Sequence, residues 1–370
     1  MQKKIAIVIS AMNLGGAQRV VSFLCDHWSK QGYQITLIST YIGDSNKHYE
    51  VAGNISLRSL DEYVKYPRSK YLKLIWKIFY LRKIFKEVRP DKIVSFLTRV
   101  NVASAIASKG LKIPLILCER TWTPFARLNI NFYWFYRILF RNAQSIVVQT
   151  EKSKEWLNNN FPRNYVDVIP NSVIYPLPLQ KNTLINPDLY LSKERKIILA
   201  SGRFHIYKQF DLLIRVFAKI QNEHTGWDLV ILGDGEERIQ LEELIYNLDL
   251  EERIFLPGSV GNISDWYKRS QLFVLSSSVE GFPNVLLEAM AYGLPCVSFD
   301  CDTGPSDMIE DGINGILVNP HLKEAGLSEV IDSLIKNPKL RAEISKNSLL
   351  IQEKYSPEHI MKLWDKILER

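Results

Sequence analysis

At 370 residues, with 46% hydrophobic and 24% charged residues, the chain has the composition of a two-domain soluble globular protein rather than a fibrous or disordered one. No apolar run reaches the roughly 18–20 residues that cross a bilayer, and the apolar part of the N-terminus is too short for a signal peptide. Four cysteines without C-x-x-C spacing exclude a disulfide scaffold and favour a reducing cytoplasm.

The first half of the chain alternates short apolar runs with longer amphipathic ones, which is typical of βαβ units and a parallel sheet. We predict strands at 4–10, 34–39, 92–96, 114–118, 145–149 and 166–169. Helices are predicted at 17–31, 71–88, 102–109 and 130–140. These elements form a first α/β domain over residues 1–174.

Polar and glycine residues follow several strands of this first domain. Gly15 and Gly16 lie between the first strand and the first helix, where paired glycines let the backbone approach an anion or a sugar, although an ordinary turn is an equal alternative. The loop lacks G-x-G-x-x-G, so a nicotinamide cofactor loses its main support. Glu119 and Arg120 follow the strand at 114–118, and Asn171 follows the strand at 166–169, so these three could face a ligand cleft.

The net charge of +7 is concentrated in one window, residues 65–89, which contains nine Lys or Arg and one acid. The helix predicted there also carries Ile75, Trp76 and Phe79, and residues 120–141 combine four arginines with eight aromatic side chains. Aromatic and basic side chains together suit an anionic membrane surface, and the alternative is a core helix with a basic outer face. Nucleic acid is not expected as a partner, because no recognition motif accompanies the patch.

Residues 175–194 lose the alternating pattern and contain several prolines, so we predict a linker there. A second alternating series predicts strands at 196–200, 228–232, 253–256, 272–276, 295–299 and 315–318. It forms a second domain over residues 195–355. The predicted fold class is therefore α/β, with two successive parallel-sheet domains.

Two loops of the second domain are candidates for a phosphate site. The strand at 196–200 leads into a loop that carries Arg203 and Lys208. Open α/β sheets bind ligands at the carboxyl ends of their strands, where two cations would offset a diphosphate; solvated surface cations are the alternative. Residues 233–236, Gly-Asp-Gly-Glu, follow the next strand in the same position, either as a ligand loop or as a tight turn.

The most informative segment runs from Glu280 to Glu288 and reads Glu-Gly-Phe-Pro-Asn-Val-Leu-Leu-Glu. An apolar strand precedes it and an apolar helix begins within it, so its centre is a helix N-terminus, whose unpaired N–H groups suit a diphosphate. Carboxylates on either side would bind the hydroxyls of a sugar nucleotide. No metal is expected, because His27, His48 and His205 have no partner at metal-ligand spacing.

Taken together, these motifs resemble the retaining GT-B glycosyltransferases of family 4, over nearly the whole chain. The resemblance implies two Rossmann-like domains facing across a cleft, with the last helix, 356–370, crossing back to the first domain. It implies that Arg203 and Lys208 hold the donor diphosphate, that Glu288 bonds the ribose and that Glu280 faces the transferred sugar. The catalytic candidates are then Glu280, Arg203 and Lys208. The other donor-site residues implied by the resemblance are Gly15, Gly16, Val260, Gly281, Phe282, Pro283, Asn284 and Val285.

The sequence departs from the family in one place. Many members have a His after the strand at 114–118, where this chain has Glu119 and Arg120. The role of that His is therefore not carried over, and Glu119, Arg120 and Asn171 are the acceptor-side candidates.

By this resemblance we expect a retaining glycosyltransferase that moves a hexose or N-acetylhexosamine from a nucleotide sugar to a lipid-linked glycan, for a surface polysaccharide or glycoconjugate such as O-antigen or capsule. No metal or other cofactor is expected. The loop 303–307 is similar to that of bacterial enzymes that use galactose-type UDP-sugars, which favours UDP-Gal or UDP-GalNAc.

We expect a cytoplasmic protein bound to the inner face of the cytoplasmic membrane through residues 65–89 and 120–141. The alternatives are a sugar-nucleotide epimerase of the same architecture and a non-catalytic binding protein for a nucleotide sugar or a membrane surface.

Overall fold

The computed structural model describes residues 3–12, 16–40, 55–60, 70–121, 140–141, 143–160, 165–179 and 183–370, with the backbone alone for 70–73. The chain forms two compact units. The first comprises Met1–Asn171 together with Ile360–Arg370, and the second comprises Ser172–His359. The chain therefore passes from one unit to the other twice, and residues 175–194 belong to the second unit.

The first unit contains a seven-stranded sheet in the order β3-β2-β1-β4-β5-β6-β7, in which every neighbouring pair is parallel. Its strands are β1 (Lys4–Ile9), β2 (Gln34–Ser39), β3 (Ser56–Ser59), β4 (Lys92–Phe96), β5 (Leu115–Cys118), β6 (Ser145–Val148) and β7 (Val166–Val168). Its described helices are α1 (Gly16–Lys30), α2 (Lys70–Val88), α3 (Thr98–Ser108) and α4 (Glu151–Asn160).

The second unit contains a six-stranded parallel sheet in the order β10-β9-β8-β11-β12-β13. Its strands are β8 (Lys196–Ser201), β9 (Trp227–Leu232), β10 (Ile254–Gly258), β11 (Leu272–Leu275), β12 (Cys296–Phe299) and β13 (Ile316–Val318). Its helices are α5 (Phe210–Ile220), α6 (Arg238–Asn247), α7 (Ile263–Arg269), α8 (Asn284–Ala291), α9 (Pro305–Met308), α10 (Lys323–Lys336), α11 (Pro338–Ser348) and α12 (Ile351–Lys354). Short 3-10 turns lie at Pro187–Leu189, Ile206–Lys208 and Pro320–Leu322.

The prediction of two parallel-sheet α/β domains is confirmed. Both ends of each predicted strand lie within two residues of the ends of an observed strand. Apolar residues fill the central strands because helices cover both faces of a parallel sheet; β9, for example, is buried along its whole length. The edge strand β3 and the helix α4 were not predicted, because Ser-Leu-Arg-Ser and a polar ten-residue stretch carry no apolar period. The helix predicted at 130–140 lies outside the described residues except at its last position.

The last helix, α13 (Pro357–Glu369), packs on the first unit from residue 360 onward. The Trp364 ring meets Trp28 edge-on, with the centroids 6.1 Å apart, and the Trp28 Nε1 donates to Asp365 at 3.1 Å. Arg120 adds a cation–π contact, because its guanidinium lies 5.4 Å from the centre of the Trp364 ring. The first unit is thus completed by the C-terminal end of the chain. Among the described helices, none combines the length and the low charge needed to cross a bilayer.

Candidate active site

The second unit gathers its candidate residues at the carboxyl ends of three adjacent strands. Strands β9, β8 and β11 are neighbours in the sheet and end at Leu232, Ser201 and Leu275. The loops that follow them are residues 233–237, 202–209 and 276–283. Three loops from neighbouring strands therefore meet at the edge where open α/β sheets bind ligands.

Glycines allow the first two of these loops to touch. Gly233 has φ +131°, and a Cβ built on it would lie 1.9 Å from the carbonyl oxygen of Gly202. A Cβ on Gly235 would lie 2.4 Å from the carbonyl oxygen of Phe204. Any other residue at either position would collide with backbone, which explains the Gly-Asp-Gly sequence. The segment 233–236 therefore packs directly against the backbone of the loop that carries Arg203.

Lys208 and Glu280 form an ion pair at the centre of this edge. The Lys208 Nζ donates to the Glu280 Oε1 at 2.5 Å, and both side chains are mostly shielded from solvent. Lys208 ends the 3-10 turn, and its carbonyl oxygen accepts a bond from the Ser276 hydroxyl at 2.7 Å. The 3-10 turn is thereby fixed to the end of β11. A cation and a carboxylate from two separate loops are brought together here.

Arg203 has a different partner and a different environment. Its Nε donates to Glu236 at 3.2 Å, and its side chain is 75% exposed. The backbone N–H of Glu236, and then the charges of Arg203 and His205, hold the pKa of this carboxyl below its usual value. Arg203 and Lys208 thus lie on the same loop with separate acidic partners, and only Lys208 is in the shielded part of the site.

The segment from Glu280 to Glu288 has the predicted form of a strand, a loop and a helix N-terminus. Helix α8 begins at Asn284, and its N-cap residue, Pro283, makes no side-chain capping bond. The loop is fixed by a neighbouring turn: the Thr303 hydroxyl donates to the Glu280 carbonyl oxygen at 2.6 Å. A Cβ on Gly304, which has φ +100°, would lie 2.6 Å from the Cδ of Pro283.

One side chain of this loop, Phe282, packs in the interior of the second unit. Phe282 is buried, and its ring meets Tyr355 with the centroids 5.6 Å apart. Gly281 and Val285 lie on either side of the Phe-Pro-Asn turn. The backbone of this turn therefore has a fixed path into α8, whose first turn presents N–H groups and the positive end of a dipole.

Glu288 lies one turn inside α8 and is 6% exposed. The hydroxyl of Tyr267 donates to its Oε2 at 3.2 Å. Tyr267 was missed by the sequence analysis, because a lone tyrosine in a short helix carries no motif.

A pocket of about 270 Å³ opens beside the Arg203 loop. It includes Val260, one of the donor-site residues that the resemblance implies. Its lining residues are Ser201, Gly202, Arg203, Leu232, Gly233, Asp234, Ser259, Val260 and Ile263. Apolar residues line it together with a few hydroxyl and charged residues, as in many small-molecule sites.

In the first unit, Gly16 begins α1, and Gly15 lies outside the described residues. The acceptor-side candidates are all buried. Glu119 accepts bonds from the Thr98 hydroxyl at 2.6 Å and from the Asn101 amide at 2.7 Å. Arg120 donates to the Asn171 Oδ1 at 3.2 Å. Glu119, Arg120 and Asn171 therefore take part in interior contacts of the first unit.

One cluster of metal-ligand side chains occurs within the described residues, at Glu223, His224 and Asp332. The Lys336 ammonium already bonds Glu223 at 3.1 Å and Asp332 at 3.0 Å. His224 precedes β9, so the cluster lies at the amino ends of the strands, away from the loops described above. It is an ion-pair cluster outside the candidate site.

Comparisons with known proteins agree with this architecture. Residues 14–174 match the family described as Glycosyltransferase Family 4, and residues 183–349 match Glycosyl transferases group 1. The crystal structure of Anabaena Alr3699/HepE in complex with UDP and glucose superposes with a TM-score of 0.83, at 18% identity and with 100% of both chains covered. The fold is therefore that of the GT-B class.

Two relatives extend over the whole chain. The amylovoran biosynthesis glycosyltransferase AmsD of Erwinia amylovora is 30% identical over 376 residues, covering 100% of both proteins. A Campylobacter jejuni α-1,4-N-acetyl-D-galactosaminyltransferase, named for a GalNAc-containing diphospho-undecaprenol glycan, is 26% identical over 367 residues, which is 99% of this chain and 98% of that protein. The chain belongs to the family 4 glycosyltransferases and is an enzyme of that class.

Proposed function

We propose that the protein transfers a hexose or N-acetylhexosamine, of the galactose or N-acetylgalactosamine type, from a UDP-sugar to a lipid-linked glycan, with retention of configuration and without a metal. The product would belong to a surface polysaccharide or glycoconjugate. The observation that carries the proposal is the contact between Lys208 and Glu280 directly before the N-terminus of α8. It combines a cation, a carboxylate and backbone N–H groups at one point.

The chemistry follows from the charges at this point. When the donor bond breaks, negative charge develops on the β-phosphate, and a fixed cation with helix N–H groups stabilises it. The Lys208 ammonium has three donors, so its bond to Glu280 is compatible with further bonds to phosphate oxygens. We infer that Lys208 bridges the sugar-facing carboxylate and the leaving diphosphate. The acceptor oxygen would bond to the anomeric carbon on the face from which the phosphate leaves, and the phosphate would accept the hydroxyl proton, so the configuration is retained.

The second unit also offers a surface for the nucleoside part of the donor. The pocket that contains Val260 is of a size for a nucleoside, and Glu288 supplies a carboxylate for ribose hydroxyls. The complex of HepE with UDP and glucose supports UDP as the nucleotide. The names of AmsD and of the Campylobacter enzyme support a polysaccharide or a lipid-linked glycan as the product class.

A panel of UDP- and GDP-sugars tests the donor assignment. We expect one UDP-sugar to raise the melting temperature and to be hydrolysed slowly in the absence of acceptor. A ligand at 100 times its dissociation constant adds about 2.7 kcal/mol to the free energy of unfolding. With a synthetic diphosphate-linked lipid glycan as the acceptor, NMR of the product's anomeric proton should show the same anomeric configuration as in the donor. Stabilisation by none of the nucleotide sugars would refute the proposal.

We further propose that the enzyme works at an anionic membrane surface on the cytoplasmic side and contacts it through α2. The inner side of α2 is buried through Leu81, Ile84 and Phe85. Its outer side leaves Ile75 and Phe79 62% and 58% exposed. Lys83 and Lys86 are exposed on the same helix. Exposed apolar side chains among cations suit the boundary between anionic headgroups and acyl chains.

Vesicle sedimentation tests this contact. Two variants of α2 should each lower the fraction of protein bound to anionic vesicles. The apolar variant combines Ile75→Ser with Phe79→Ser, and the charge variant combines Lys77→Gln, Lys83→Gln and Lys86→Gln. Each lysine near such a surface contributes about 1 kcal/mol, so the triple charge variant should bind on the order of 100-fold more weakly.

The matched control for the apolar pair is Ile239→Ser with Tyr246→Ser on α6, where two apolar side chains are similarly exposed outside the basic window. This control should bind as the wild type does. Unchanged binding of both α2 variants would exclude α2 as the contact.

A further inference from the structure

A buried tyrosine contacts the proposed ribose-binding carboxylate from the interior of the second unit. Tyr267, on α7, is 1% exposed. Its hydroxyl lies 3.2 Å from the Glu288 Oε2 and 3.3 Å from the Val285 carbonyl oxygen. A phenol has one proton to donate, so these two acceptors compete for it. The charged carboxylate is the stronger acceptor of the two.

The hydroxyl of Tyr267 is held in a fixed position by its ring contacts. The ring packs against Tyr292 at 5.4 Å and meets Phe273 edge-on at 6.1 Å, between ring centroids. Tyr292 is itself held, because its hydroxyl accepts the backbone N–H of Leu177 at 2.9 Å. Glu288 has three side-chain torsions and would otherwise sample several orientations. A rigid donor on one oxygen selects one of them.

The same helix connects this contact to the nucleotide pocket. Ile263 begins α7 and lines the pocket that contains Val260. Tyr267 lies four residues later, which is one helical turn, and so lies on the same face of the helix. The pocket for the base and the donor to Glu288 are therefore built on one short rigid element.

We propose that Tyr267 is a positioning residue that orients the Glu288 carboxylate and thereby sets the preference of this enzyme for a nucleotide with ribose hydroxyls. The inference rests on the proposed function, in which Glu288 binds ribose. Tyr267 occupies one acceptor site of Oε2 from the protein side. A carboxylate has about four acceptor sites, so the side chain in this orientation can bind the 2′ and 3′ hydroxyls together.

Binding of UDP and of 2′,3′-dideoxy-UDP, measured by calorimetry, separates this role from a general structural one. The wild type should bind UDP about 100-fold more tightly than the dideoxy form, because hydrogen bonds to a buried charge are lost with the hydroxyls. Tyr267→Phe should weaken UDP binding about tenfold and change dideoxy-UDP binding by less than about twofold. The preference for ribose would thus fall to about tenfold.

A double-mutant cycle shows whether Tyr267 acts through Glu288. Glu288→Ala should abolish the preference, and adding Tyr267→Phe to it should change nothing further. Tyr190→Phe is the matched control, since it removes a hydroxyl from a ring that packs on Trp266, the neighbour of Tyr267 on α7, and it should keep the wild-type preference. Equal weakening of both nucleotides by Tyr267→Phe, or an effect that persists without Glu288, would overturn the inference.

The failure of the proposed function gives a different result. If the wild type binds neither UDP nor GDP, the donor site itself is wrong, and the inference falls with it. If the wild type binds UDP and dideoxy-UDP equally, the nucleotide site stands but Glu288 does not bind ribose, and the role of Tyr267 is refuted. Melting temperatures of all variants identify any loss that comes from unfolding.

Discussion

Lys208→Ala is expected to lower kcat about 10²–10³-fold with the UDP-sugar that the panel identifies. Lys208 is the shielded cation of the site, and its ammonium lies 2.5 Å from Glu280. A charge shielded from water interacts more strongly with a developing negative charge than an exposed one does. Because the proposed contact strengthens as the phosphate leaves, its loss should appear in kcat more than in KM. Initial rates at saturating donor measure the effect.

Arg203→Ala is the matched comparison for Lys208→Ala. Both cations lie on one loop, but Arg203 is largely in solvent and bonds the exposed Glu236. Its removal should therefore cost less, about tenfold or below, and should act mainly on KM. If Lys208→Ala keeps more than about a tenth of the wild-type kcat while Arg203→Ala does not, the catalytic assignment of the two cations is reversed. Melting temperatures show whether either variant has lost its fold.

The parts of the site that follow from strand periodicity could be predicted from the sequence. Parallel strands end at a common edge, so the loops with Lys208 and Glu280 could be expected at the same edge of the sheet. The apolar run after Phe-Pro-Asn predicted a helix that begins within the segment from Glu280 to Glu288, and α8 begins there at Asn284. Periodicity indicates at which edge of the sheet these loops lie.

The periodic pattern does not indicate which side chains pair within the loops of the site. The bonds of Arg203 to Glu236 and of Lys208 to Glu280 depend on side-chain torsions that no periodic pattern encodes. Tyr267 approaches Glu288 from a helix 21 positions earlier in the chain, so only the packing of α7 against α8 reveals it. Arg120, a candidate because of its position after β5, is buried beside Asn171 and Trp364, and no periodic pattern encodes these two contacts either.

The stability of the second unit depends on a carboxylate at the other end of the sheet. Asp228, near the start of β9, is 2% exposed and accepts bonds from two arginines. The Arg195 Nε donates at 2.6 Å and the Arg253 Nε at 2.9 Å. These arginines directly precede β8 and β10, the two neighbours of β9. One buried charge therefore joins the starts of three adjacent strands.

Asp228→Ala is expected to lower the free energy of unfolding of this unit by about 3–5 kcal/mol, because it leaves two partly buried guanidinium groups without their counter-charge. Urea denaturation followed by circular dichroism measures the loss. Lys219→Ala is the matched control: it breaks an exposed ion pair with Glu324 in the same unit and should cost about 1 kcal/mol or less. Asp228 lies four residues, about 13 Å, from the ligand end of β9. Folded Asp228→Ala protein should therefore keep the wild-type kcat, and a large loss of kcat below the unfolding transition would show that the two ends of the sheet are coupled.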